Sequence, residues 1–217
     1  MIQEIKIEVP NDYSGITLRQ YLNLQRDITN YEGDEEATNA ALFYHICGIE
    51  PQILSQLDTH TFAKIKSQLY TFLGNINFLL QRTITIEGVK YGFEPNLSKM
   101  SYGAYLDISK FETMGIDQHW PKILSVLYRP IEKERGGLYT IQEYKGWKDW
   151  ETDKWYDVNM DFHFGCFFFF NRLYKDLSLA ILNSLKGSPE IPRNIKSILD
   201  ESGEVINQLQ LLQGKTY

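Results

Sequence analysis

The chain has 217 residues, of which 43% are hydrophobic and 23% charged. That is the make-up of a globular protein with room for a sizeable core, and it excludes a disordered chain. A net charge of −6 repels a phosphate backbone, and the densest basic stretch, Arg129 to Arg135, is broken by Glu132 and Glu134, so no nucleic-acid partner is expected.

The first residues, Met-Ile-Gln-Glu-Ile-Lys-Ile-Glu, alternate in character and lack the basic and then apolar order of a secretion signal. Two cysteines, Cys47 and Cys166, sit in apolar stretches, which fits a reducing cytoplasm. Ile5, Ile7 and Val9 fall on one face and predict a half-buried strand over residues 4–9. After the loop containing Pro10 and Gly15, Thr17 is placed to cap a helix that begins at Leu18 and carries Tyr21, Leu22 and Leu24. The acidic segment Asp27 to Glu36 reads as a solvated loop. Residues 40–49 read as a second helix, ended near Gly48 and Pro51.

From Thr61 the apolar positions Phe62, Ile65, Leu69, Phe72, Leu73 and Ile76 advance in helical steps. Thr83 to Phe93 then holds two alternating runs around Glu87-Gly88, which predicts a hairpin, and the strand at 4–9 is expected to pair with it. Ile5 to Gln25 can be laid without a gap on Val89 to Ser109, at an offset of 84 residues. Lys6/Lys90, Ser14/Ser98, Tyr21/Tyr105 and Leu22/Leu106 are identical, and both copies read as strand, polar loop, hydroxyl cap and helix. Each copy precedes another apolar helix, at 41–49 and 123–131. The expected fold is mainly α with a small β element (α+β), with two related strand-loop-helix-helix halves, about 5–82 and 89–186, in one domain over 1–186.

The second half carries an insert, Glu132 to Asp157, of the length that often bears function. An aromatic helix follows from near Asp161 to Lys186. Its run Phe164 to Phe170 is far shorter than the roughly 20 apolar residues of a bilayer span, so no membrane partner is expected. Pro189 and Pro192 mark a linker over 187–193. Ile195, Ile198, Ser202, Val205, Leu209 and Leu212 then form a short heptad seam in a C-terminal helix over 194–213, suited to docking on its own domain, to a partner groove or to self-association.

Chemistry is sparse. His45-x-Cys47 and His163-x-x-Cys166 supply zinc-type ligands, but residues two apart on a helix point to nearly opposite sides. No Gly-x-Ser-x-Gly, Gly-x-Gly-x-x-Gly or Walker-type motif occurs, and Gly33 stands one position too late for a calcium hand begun at Asp27. No catalytic, cofactor-binding or metal-ligating residue is therefore assigned. Trp147, Trp150 and Trp155 in the insert, with Val205, Leu209 and Leu212 in the seam, are the expected partner-binding residues. A Cys/His enzyme and a carbohydrate-binding module using the three indoles are the alternatives.

Several segments together resemble a group of tailed-bacteriophage proteins, the small helical tail or baseplate assembly proteins, including the tail-assembly-chaperone type. The resembling residues are Ile16-Thr-Leu-Arg-Gln-Tyr-Leu22, Pro95 to Ile108, Ile123 to Ile131, Tyr139-Thr-Ile-Gln-Glu-Tyr144 and the Phe-rich run to Phe170. The resemblance implies a non-enzymatic protein without cofactors that binds other phage structural proteins in the host cytoplasm during assembly, or stays in the virion as a minor subunit. It does not extend to the Trp-rich insert or the heptad seam.

Overall fold

A computed structural model describes residues 7–77, 79–170 and 172. Its helices are α1 (Leu18–Asn30), α2 (Glu35–Cys47), α3 (Pro51–Leu54), α4 (Thr59–Leu73), α5 (Tyr102–Thr113), α6 (Ile116–Leu127) and α7 (residues 160–170). Four strands, β1 (Thr83–Ile86), β2 (Val89–Phe93), β3 (Tyr128–Arg135) and β4 (Leu138–Ile141), form one sheet in that order, each antiparallel to the next. The class is α+β, mainly helical, as the sequence predicts.

The described residues fall into two compact units, one drawn from 7–16, 20–77, 79–80, 160–170 and 172, the other from 17–19 and 81–159. The first is helical. Asp34 caps α2 by accepting from the Ala37 N–H at 2.9 Å, and Glu35 and Glu36 complement the positive helix end. At the other end Gly48 takes φ 67°, its N–H bonds to Tyr44 O, and Ile49 N–H bonds to Phe43 O. This is a left-handed (αL) stop, for which Gly is favoured because a Cβ resists that backbone conformation. Pro51 opens α3 where its missing N–H costs nothing.

Asp58 caps α4 through the His60 and Thr61 amides. Ile65, Leu69 and Phe72 are its buried stripe. The core of this unit is aromatic: Tyr13 meets Phe72 at 4.4 Å and the edge of Phe164 at 4.9 Å, and Tyr21 meets Phe164 at 5.6 Å. Gly165 on α7 is required by closeness, since a Cβ there would lie 2.2 Å from the Leu79 carbonyl oxygen.

In the second unit two tight turns build the sheet. Glu87 and Gly88 both have positive φ (51° and 79°), as do Gly136 and Gly137 (58° and 79°), the geometry of a two-residue hairpin turn whose twist matches the strands. Tyr139 of β4 reaches across to β2 and donates its hydroxyl to Phe93 O at 2.8 Å. Its ring occupies the space above Gly92, where a Cβ would sit 2.5 Å from it.

Four expectations need correction. The strand predicted at 4–9 is not seen over residues 7–9, residues 4–6 lie outside the described residues, and among the described residues the hairpin β1–β2 pairs onward with β3. The acidic stretch 27–36 is not one loop: α1 runs to Asn30 and α2 begins at Glu35, because Asp34 makes a cap. The apolar run 123–131 splits, with Tyr128 turning from α6 into β3. The start of the insert is regular sheet, β3 and β4, joined by the Gly136-Gly137 turn.

The offset of 84 falls on like local structure. Single 3-10 turns occur at Tyr13–Gly15 and Leu97–Lys99, and the helices after them begin at Leu18 and Tyr102. The division into compact units follows contacts and not the offset, with α7 in the first unit.

Asp161 on α7 is buried, and one of its carboxylate oxygens has no partner among the described residues. Burial, with Asp12 adding repulsion, holds its carboxyl above the usual carboxylate range, partly offset by the Tyr13 amide. A raised folded pKa gives stability that is present below the unfolded pKa and lost as pH rises through the folded value. Asp161→Asn is therefore expected to equal the parent in acid and to exceed it at neutral pH, as read from urea midpoints across pH 3 to 8. A variant less stable at pH 7 would contradict this.

Candidate protein-interaction surface

The second unit is held together around two buried groups. Trp155, in a 3-10 turn, is 0% exposed, with Tyr91 and Tyr128 rings each 5.7 Å from it. Lys154 beside it reaches the Tyr91 hydroxyl at 2.9 Å. The other group is the ion pair of Arg129 on β3 with Glu94, both side chains largely buried. The second arm of Arg129 donates to Gln142 O at 2.9 Å, and its guanidinium lies 5.9 Å from the Tyr144 ring. Burial pulls the guanidinium below its ordinary pKa and Glu94 pulls it back.

These anchors lay the segment after β4 along one stripe of α5. The Tyr144 hydroxyl donates to Asp107 at 2.5 Å, and burial together with that carboxylate pushes the phenol's pKa up. Trp147 packs edge-on against Phe111 at 5.0 Å, and Lys122 of α6 stands 4.6 Å above the indole. Asp107 and Phe111 are one helical turn apart, so the contacts share a face.

The three tryptophans proposed for partner contact thus take different places. Trp155 is a core residue and cannot touch a partner, which corrects that assignment: an indole on a segment crossing a sheet face rich in Tyr is worth more buried than exposed. Trp147 is half-buried in its clamp. Trp150 is 70% exposed, with Lys148 5.6 Å over its ring. The three rings therefore share no exposed platform of the kind a sugar would stack on. Val205, Leu209 and Leu212 lie outside the described residues.

The thiol and imidazole residues are likewise placed. His45 Nε2 is 2.7 Å from Asp27, a contact that draws the Asp27 carboxyl below its usual pKa. Cys47 is half-buried and desolvation pushes its thiol up to about 11, away from the thiolate a nucleophile needs. Cys166 and His163 are buried. Among the described residues no three His, Cys, Asp or Glu side chains are grouped to hold a metal, and no helix is long and apolar enough to cross a membrane.

Sequence reasoning missed the outer face of α5. Ala104, Ile108 and Phe111 point into the core, yet Tyr102, Tyr105 and Leu106 are also large and apolar and are 74%, 58% and 47% exposed. Tyr102 and Tyr105 stack on each other, centroids 6.4 Å apart. The signal was available: a 12-residue helix with two apolar faces has one more than its own core needs. With Trp150, this face gives the unit exposed aromatic groups of the type that anchors protein interfaces. The chain matches no family model, no curated protein and no solved structure.

The core and surface tryptophans should respond in opposite ways. Trp155→Ala is expected to cost about 3–5 kcal/mol of stability, and Trp150→Ala less than about 0.5 kcal/mol, both measured by urea unfolding. Equal losses would remove the distinction drawn between them.

Proposed function

We propose that this chain is a non-enzymatic protein-binding protein of tailed-phage morphogenesis, a tail, neck or baseplate assembly factor or a minor subunit of the virion. The observation that carries the binding part of this reading is the exposed Tyr102, Tyr105 and Leu106 face of α5. Its aromatic side chains bring large contact area at little cost in frozen rotors. The resemblance of residues 16–22, 95–108, 123–131 and 139–144 to phage assembly proteins supports the setting. A raised Cys47 thiol and a His45 engaged by Asp27 fit a chain that works by contact and not by covalent chemistry. In this reading its partners are other phage structural proteins, met in the host cytoplasm during assembly.

The test is a tagged copy expressed during infection by the phage that encodes it, with mass spectrometry of co-purified proteins and of purified virions. Tail, neck or baseplate proteins should co-purify. Trp150→Ala combined with Tyr102→Ala should lower their recovery at least tenfold, in line with the loss of about 2 kcal/mol per aromatic anchor, while the fold stays intact by circular dichroism. Absence of every virion component from the purified complex, together with absence of the chain from virions, would overturn the proposal.

A further inference from the structure

We infer that the outer face of α5 is the docking site for residues 194–213 of a second copy of this chain. The inference builds on the reading of that face as a protein-binding surface and names its occupant.

The first ground is the internal equivalence at offset 84. Tyr21 and Tyr105 are aligned, as are Leu18 and Tyr102, and the helices that carry them begin at aligned residues. In the first copy Leu18 is 5% exposed and the half-buried Tyr21 packs against Phe164 of α7, while Leu22, aligned with Leu106, is 38% exposed. In the second copy the same positions hold two tyrosines that stand open, 74% and 58% exposed. At Tyr21 that neighbour is an aromatic side chain presented by a helix.

The second ground is the chain that follows. Forty-five residues come after Arg172, and they contain the proline-marked linker 187–193 and the heptad spacing Ile195, Ile198, Val205, Leu209, Leu212. An apolar seam of 18 residues would extend about 27 Å as a helix, enough to lie along the whole of α5. The third ground is charge. Lys99 just before α5 and Lys110 in its last turn are exposed, and Lys145 and Lys148 are exposed on the segment that packs along the neighbouring stripe of α5. Residues 194–213 carry Asp200, Glu201 and Glu204 against one lysine, Lys196. Opposite charges around an apolar centre set partner choice and orientation.

Each copy has one face and one seam, so two copies exchange seams and close a dimer with two equal interfaces. Sedimentation velocity on the full chain over a hundredfold range of concentration should show a monomer–dimer equilibrium. Tyr105→Asp, which alters an exposed side chain, and Leu209→Asp should each weaken the dimer at least tenfold without loss of helical circular dichroism.

Mixing the two variants in equal amounts is the decisive arm. The intact seam of the Tyr105→Asp chain meets the intact face of the Leu209→Asp chain, so the mixture should dimerise more tightly than either variant alone. A strictly monomeric parent, a Tyr105→Asp chain that dimerises like the parent, or a mixture no better than its components would each overturn the inference. A monomeric chain that still co-purifies with tail proteins would overturn the self-association alone and leave the assembly role standing. A dimer that binds no virion component would do the reverse.

Discussion

Burial of the Trp155 indole is the constraint on which the second unit is built. The side chain sits on a 3-10 turn with no long helix or strand of its own, and such a segment can enter a core only if its backbone groups are satisfied locally. They are: the Trp155 N–H bonds to Thr152 O and the Val158 N–H to Trp155 O. The ring then lies against Tyr91 of β2 and Tyr128 of β3, which ties the two central strands to the returning chain. Everything between β4 and that ring must follow a path short enough to reach it.

The buried Arg129–Glu94 pair governs that path. Removing two charges from water is costly, and such a pair persists only where further hydrogen bonds share the load. Here Arg129 spends its second arm on the Gln142 carbonyl, and Gln142 N–H bonds back to Pro130 O. The chain leaving β4 is thereby held against the strand it has just paired with, and Tyr144 is delivered to Asp107 and Trp147 to the Lys122–Phe111 clamp. One stripe of α5 is consumed by these contacts and a second by the core. The third, bearing Tyr102, Tyr105 and Leu106, is left to solvent.

The sequence was legible where local chemistry decides conformation. Glu87-Gly88 announced the hairpin, Gly48 with Pro51 announced the end of α2, and the three-four spacing of Ile65, Leu69 and Phe72 announced α4. It misled where a longer-range contact overrode local pattern. Alternation over residues 7–9 looks like a strand, yet those residues form none, and β2, paired with β1 on one side, takes Tyr128, Arg129 and Pro130 as its partners on the other. Those three residues read as the end of an apolar helix because periodicity cannot separate a short buried strand from a helix segment. The three tryptophans looked alike in a row of polar residues. Their fates differ because only Trp155 falls where β2 and β3 present Tyr rings, a fact of tertiary placement that spacing does not encode.

Helices α1 and α5 share their start, their preceding 3-10 turn, their Tyr-Leu pair and the burial of the aligned Leu24 and Ile108, yet they differ at the first residue, where Leu18 is buried and Tyr102 exposed. In α1 the buried positions include Leu18 and Leu24, with Tyr21 against an aromatic helix. In α5 they are Ala104, Ile108 and Phe111, and Phe111 is claimed by Trp147 of the insert. The insert thus does for α5 what α7 does for α1, but from a different direction, and Tyr102 and Tyr105 are what that change of direction leaves uncovered. Solvation alone gives no reason for two stacked tyrosines and a leucine to occupy exposed positions on one side of a helix, where polar residues would serve solubility better. The proposed binding role would supply that reason, since the same three side chains are compact, weakly flexible anchors once a complementary apolar surface is brought to them.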